Sequence, residues 1–122
     1  MDEPSRRALA SDRVIDITTT GRVSGQPRRI EMWFHNLDGQ IYITGLPGPR
    51  DWYANMEAEP RFIFHLKESA TADLPARARP IVDPEERRPI LERILTNLGR
   101  PASTLEAWLE QSPLVAVDFE ED

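Results

Sequence analysis

The sequence predicts an α+β domain in which an antiparallel sheet of five to six strands curls into a small barrel, with one short internal helix and C-terminal helices. Three observations carry this expectation. Period-two apolar alternation recurs in short segments up to Val82, Gly- and Pro-rich turns separate those segments, and three-and-four apolar spacing takes over only after Asp83. No βαβ alternation of about 30 residues is present, and neither GxGxxG nor GxxxxGK[ST] occurs, which argues against a Rossmann or P-loop domain.

Val14 to Ile17, interrupted by Asp16 and continued by Thr18-Thr19-Thr20, reads as the first strand. Gly21 to Pro27 holds two glycines and a proline and reads as a tight connection. A second strand is expected over about Arg28 to His35, with Ile30, Met32 and Phe34 on one face. Asn36-Leu37-Asp38-Gly39 would turn it back into a third strand over Ile41 to Thr44, giving a hairpin. Asp51 stands where a helix N-cap belongs, and the helix over Trp52 to Ala58 must end before Pro60. Phe62, Phe64 and Leu66 mark a fourth strand, and Thr71 to Val82 a fifth whose Pro75 and Pro80 point to an edge or a bulge. Asp83, Pro84 and Glu86 have the spacing of a capping box, and Ile90, Leu91, Ile94, Leu95 and Leu98 line one helix face up to Gly99. Ser103 and Glu106 repeat the box for a short helix, and Leu114 to Phe119 returns as a last strand. A single domain over residues 1–122 is expected, with residues 1–12 as a flexible segment.

The formal charge of −6 is unevenly placed. Residues 1–82 carry 11 basic and 11 acidic groups, and the excess of acid lies wholly in the remainder, ending in Glu120-Glu121-Asp122. A broad basic surface for nucleic acid is excluded, and the acidic tail reads as a solvated surface. There is no cysteine, so disulfides, thiol nucleophiles and thiolate metal sites are out. Two histidines, His35 and His65, give too few ligands to predict a metal, and both read as surface or rim residues. No apolar run approaches the roughly 20 residues of a membrane span, and the start lacks a signal peptide's apolar stretch, so a cytoplasmic location is expected.

Two stretches have the makings of a site. Between Thr20 and Arg29 a strand end turns through Gly21 and Gly25, exposing backbone N–H groups beside Ser24, while Arg22, Arg28 and Arg29 offer guanidinium forks for phosphate or carboxylate. The alternative is a solvated turn whose arginines pair with surface acids. From Thr44 through Gly45-Leu46-Pro47-Gly48 to Arg50, a backbone with few side chains can approach a flat ring. Trp52 and Tyr53 follow at the start of a helix, as stacking surface or, with Met56, as ordinary core.

Thr-Thr-Gly-Arg-x-Ser-Gly-x-x-Arg (Thr19 to Arg28), the Asp-Gly hairpin, the Gly-rich loop, Trp-Tyr-x-Asn (Trp52 to Asn55) and a Pro-x-Phe strand occur in an order that resembles the deazaflavin-dependent nitroreductase and quinone reductase family, over about residues 14–82. The resemblance implies a split β-barrel related to the flavin-binding pyridoxamine phosphate oxidases, and coenzyme F-420, an 8-hydroxy-5-deazaflavin. Gly21, Arg22, Ser24, Gly25 and Arg28 match the loop for the coenzyme's phosphate and acidic tail. Thr44, Gly45, Leu46, Pro47 and Gly48 match the loop beside the ring, and Trp52, Tyr53 and Asn55 the following helix. Two cations usual in the family are absent, Val23 standing for one and the Gly45 to Gly48 loop lacking the other. That loss would favour a less acidic ligand such as FMN, unless Arg29 and Arg50 compensate. The implied chemistry is hydride transfer to a quinone- or nitroaromatic-like acceptor. Tyr53 and His65 are candidate proton donors, and a non-catalytic flavin- or haem-binding protein is the alternative from another class. A homodimer is implied by the resemblance as well. Because the chain begins close to its first strand, the N-terminal helix of some members is expected to be missing.

Overall fold

The computed structural model describes residues 1–120; Glu121 and Asp122, the end of the acidic tail, lie outside the described residues. In chain order the elements are α1 (Glu3–Ser11), β1 (Val14–Thr20), β2 (Pro27–Trp33), β3 (His35–Leu37), β4 (Gln40–Thr44), α2 (Asp51–Ala58), β5 (Arg61–Leu66), β6 (Ala72–Pro80), α3 (Pro84–Asn97), a 3₁₀ turn (Ala102–Thr104), α4 (Leu105–Gln111) and β7 (Leu114–Phe119). All seven strands form one antiparallel sheet in the order β2-β1-β5-β6-β7-β4-β3. The two end strands of that order, β2 and β3, are consecutive in the chain with only Phe34 between them. Laid flat, six strand spacings would separate them by roughly 29 Å, whereas the two peptide steps from Trp33 to His35 span no more than about 7.6 Å. The sheet must therefore curl, and the α+β split-barrel class expected from the sequence is the one found.

Phe34, which is 3% exposed, also explains the strand count. The expected second strand breaks at this residue: residues before it pair with β1, and residues after it pair with β4. Among the described residues seven strands result instead of five or six, and the Asp38-Gly39 hairpin joins β3 to β4. Both turn residues have positive φ, 56° and 95°, as a two-residue type I′ connection needs. Phe34 packs edge-on against Phe64 at 5.3 Å inside the barrel, with Ile15, Ile17, Ile43, Phe62 and Val117 around them. A second apolar cluster lies outside, where Leu91, Ile94, Leu95 and Trp108 of α3 and α4 cover Leu114 and Ala116 of β7. That strand is buried on both faces.

Several expectations are corrected. Residues 3–11 are helical, so neither a flexible N-terminus nor a missing helix describes the chain. Asp2 caps α1 by accepting from the Ser5 N–H at 2.9 Å, and Ala8 and Leu9 bury against the barrel. The strand holding Pro75 and Pro80 is central, lying between β5 and β7. Its prolines stand where one neighbouring strand has run out: β7 pairs from Ala76 onward, and β5 pairs only as far as Arg77. Asp51 is the first residue of α2, whose N-cap is Arg50, and the Ser103 box is replaced by a 3₁₀ turn with no side-chain cap. The cap at Asp83 is formed, its carboxylate accepting from the Glu85 N–H at 3.0 Å. No helix among the described residues is long and apolar enough to cross a membrane.

Candidate functional site

The turn between β1 and β2 closes on itself through backbone bonds. Gly21 N–H donates to the Gln26 carbonyl and Gly25 N–H to the Gly21 carbonyl, each at 2.8 Å. A side chain at Gly21 would put its Cβ 2.8 Å from Ser24 Oγ and 3.1 Å from the Gln26 carbonyl, so the turn has room only for glycine. The turn is fastened to α2 by Asn55, which is 4% exposed. Its Oδ1 accepts from the Arg22 backbone N–H at 3.1 Å and from Arg22 Nη1 at 2.9 Å, and its Nδ2 donates to Thr19 Oγ1 at 3.3 Å. The other Arg22 nitrogen reaches Asp51 at 3.2 Å.

Between this turn, β2 and α2 runs an open cleft of about 470 Å³, within the range of roughly 300–1,000 Å³ usual for small-molecule sites. Of the expected cofactor-binding residues it brings together Gly21, Arg22, Ser24, Arg28, Trp52 and Asn55, and adds Thr19, Val23, Ile30 and Asp51. Trp52 is 6% exposed and packs in the core with Met56, so it forms a floor to the cleft and not a free stacking face. Arg28, whose Nε lies over Gly21, makes no ion pair among the described residues. Arg29, one step along the strand, points to the opposite face and binds Asp16 at 3.0 Å. It does not compensate for the cation absent at Val23, which is 93% exposed.

The remaining expected residues lie elsewhere. Gly48, Arg50 and Tyr53 line a different cavity, which shares no residue with the cleft. Thr44 is buried and donates to the Pro113 carbonyl at 2.6 Å, while Gly45 lies against Pro113, Arg50 and Trp52. Leu46 and Pro47 belong to neither space, and Thr20 and Gly25 line a shallow depression beside Arg61 and Phe62. Burial, and then the nearby Glu57 carboxylate, raise the Tyr53 phenol above its ordinary value and keep it protonated at neutral pH.

His65 lies on the outer face of the sheet, 6% exposed and away from the cleft. Asp73 is a carboxylate and accepts from its Nδ1–H at 2.7 Å, so in the neutral ring Nε2 is left to accept from the Thr18 hydroxyl, also at 2.7 Å. The hydrogen bond from His65 is the main cause that holds Asp73 below the usual carboxylate range. His35 is half-buried, and burial with the Arg13 charge pushes it down to about 4. No cluster of three metal-ligating side chains occurs among the described residues.

Sequence reasoning overlooked Arg87, which is 7% exposed. A signal was present: four residues before Leu91 and seven before Ile94, it stands on the apolar face of α3.

Solved structures share this architecture. Atu2129 from Agrobacterium tumefaciens, of unknown function, superposes with a TM-score of 0.70 at 23% identity, over 93% of this chain and 53% of its own, so the present chain spans about half that protein's length. A protein described as an F420 reductase gives 0.70 at 17% identity, over 99% and 97% of the two chains. A putative pyridoxamine 5′-phosphate oxidase from Listeria innocua gives 0.69 at 13% identity, over 94% and 90%. Likenesses at these identities speak to fold alone. The sequence model of the F420H(2)-dependent quinone reductases matches residues 5–103, which takes in the β1–β2 turn, α2 and the cleft between them. The chain belongs to the F420H(2)-dependent quinone reductase family.

Proposed function

We propose that this protein is an oxidoreductase that uses reduced coenzyme F-420 to reduce a flat acceptor of the quinone or nitroaromatic type, with the coenzyme held in the cleft between the β1–β2 turn and α2. The observation that carries this reading is the donor set of the cleft: Arg28 without an acidic partner among the described residues, beside Arg22 and Ser24, above the apolar surface of Trp52 and Ile30. Those residues fit a ligand that is anionic at one end and flat at the other. When bound, the deazaflavin supplies the hydride. Arg28 holds the anionic tail through charge-assisted hydrogen bonds, and Asn55 keeps the turn at a fixed distance from α2. Trp52 and Ile30 exclude water from the ring's flank. Two copies joined along edge strand β2, where Ile30 and Trp33 are 39% and 50% exposed, belong to the same reading. Sedimentation velocity checks that arrangement, and a monomer at all accessible concentrations removes it.

A second reading has its own support. Arg22 is already engaged by Asp51 and Asn55, which leaves Arg28 as the one uncommitted guanidinium of the cleft among the described residues. A single phosphate suits that charge, and FMN carries one. Fluorescence titrations with F-420 and with FMN separate the two. Tighter binding of F-420, weakened roughly tenfold or more by Arg28→Ala, supports the first reading. FMN binding without F-420 binding replaces it with the second.

A further inference from the structure

We propose that the cavity between the Gly48–Arg50 loop, the start of α3 and the α4–β7 turn is a second binding site, one that takes a small organic anion with an apolar body. It measures about 540 Å³ and shares no residue with the coenzyme cleft, although α2 gives successive side chains to the two: Trp52 to the cleft and Tyr53 to this cavity.

Its chemistry follows from two arginines. Arg87 is buried, and its guanidinium is surrounded by carbonyls alone. Nε donates to Leu109 at 3.2 Å, Nη1 to Ile81 at 2.7 Å, and Nη2 to Trp108 at 3.1 Å and Ser112 at 2.7 Å. Four of its five N–H groups are engaged, and no carboxylate lies within ion-pair distance of it among the described residues. A buried cation that has only dipoles for company attracts an anion. Arg50 adds a second guanidinium whose single hydrogen bond among the described residues is to the carbonyl of its neighbour Pro49, at 2.8 Å. Ser112 Oγ has no hydrogen-bond partner among the described residues, but it is sealed from solvent and lies behind the wall without facing the cavity.

Most of the remaining wall is apolar, from Pro49, Val82, Pro84, Leu109 and Pro113 with the Tyr53 ring, and Gln111 adds a polar side chain. Glu110 stands at the rim, exposed and paired with neither arginine. The cavity is preformed, because the Gly48 N–H donates to the Gln111 carbonyl at 3.0 Å and locks the loop against the α4–β7 turn. Gly48 holds φ at 122°, which an L side chain rarely adopts.

The probe is 1-naphthoate, with neutral 1-naphthamide as its control, followed by calorimetry on the whole chain. One saturable site is expected, with the amide roughly tenfold weaker. Arg50→Ala weakens naphthoate about tenfold or more, and Arg28→Ala leaves it unchanged. F-420 does not compete. Arg50→Gln keeps most of the side-chain stem and removes the charge, so a similar loss of naphthoate binding tests the site even if Arg50→Ala fails to fold. Absence of saturable binding, equal binding of acid and amide, or displacement by F-420 overturns the proposal. Because the site is separate, these results stand whether or not the coenzyme cleft binds F-420.

Discussion

Replacing Asn55 with alanine removes the side chain that ties the β1–β2 turn to α2. Three hydrogen bonds go with it: one from the Arg22 guanidinium, one from the Arg22 backbone and one to Thr19. The charge-assisted bond contributes about 1.5–3 kcal/mol and each neutral one about 0.5–1.5 kcal/mol. The Arg22 side chain is 39% exposed and keeps Asp51, so part of the first term returns as hydration. A net loss of about 3 kcal/mol remains. With an unfolding entropy near 2.1 cal/mol/K per residue, a chain of 122 residues loses about 12 °C of Tm. Urea unfolding gives the free energy, and a scanning melt gives the temperature. Asn55→Asp keeps the acceptor for Arg22, and the Thr19 hydroxyl can turn to donate to the second carboxylate oxygen, so it should lose less than half as much. A loss below about 1 kcal/mol in Asn55→Ala, or equal losses in the two variants, refutes the view that Asn55 fixes this wall of the cleft.

Further outcomes follow from single residues. His35 is pushed from 6.5 down to about 4, so between those values the unfolded chain takes up a proton that the folded chain refuses. Stability therefore falls as pH falls through that window, by up to about 3 kcal/mol, and is insensitive to His35 above it. His35→Gln flattens that part of a pH series of urea midpoints; an unchanged slope contradicts the assignment. Gly21→Ala drives a methyl into Ser24 Oγ and the Gln26 carbonyl and costs roughly 1–3 kcal/mol, part of which Ser24→Ala restores in the double variant. Arg93→Ala breaks an ion pair with Asp38 that is exposed on both sides, 51% and 82%, and should leave the urea midpoint unchanged within error; a clear loss would contradict the view that this pair is solvent-screened.

Much of the architecture is legible because local signals agree. Alternation over Val14 to Thr20 and Phe62 to Leu66 needs one face buried, and the barrel interior supplies it. Asp38-Gly39 specifies its turn, and Asp83 with Pro84 starts α3 where the spacing says. What was not legible depends on residues distant in sequence. The break at Phe34 is invisible in an unbroken alternation, because it exists only through pairing with β1 on one side and β4 on the other. Pro75 suggests an edge, yet the neighbour on that flank is β7, some 40 residues on, which pairs from Ala76 and reaches Pro75 only through the Glu120 N–H. At the site, residue type pointed to Arg22, Arg28 and Arg29 together. Strand alternation puts the last of these on the other face, against Asp16. Trp52 and Tyr53, adjacent in sequence, face two different cavities for a similar reason: one helical step turns a side chain by about 100°.

The central claim is that the cleft beside Arg28 holds the reduced coenzyme while it gives its hydride to an acceptor. Steady-state oxidation of reduced F-420 by a panel of quinones and nitroaromatics, in the wild-type protein and in Arg28→Ala, tests it most directly. The account predicts turnover with at least one acceptor, and a KM for the coenzyme raised roughly tenfold or more in the variant. Coenzyme that stays reduced with every acceptor, or identical KM values in the two proteins, would contradict it.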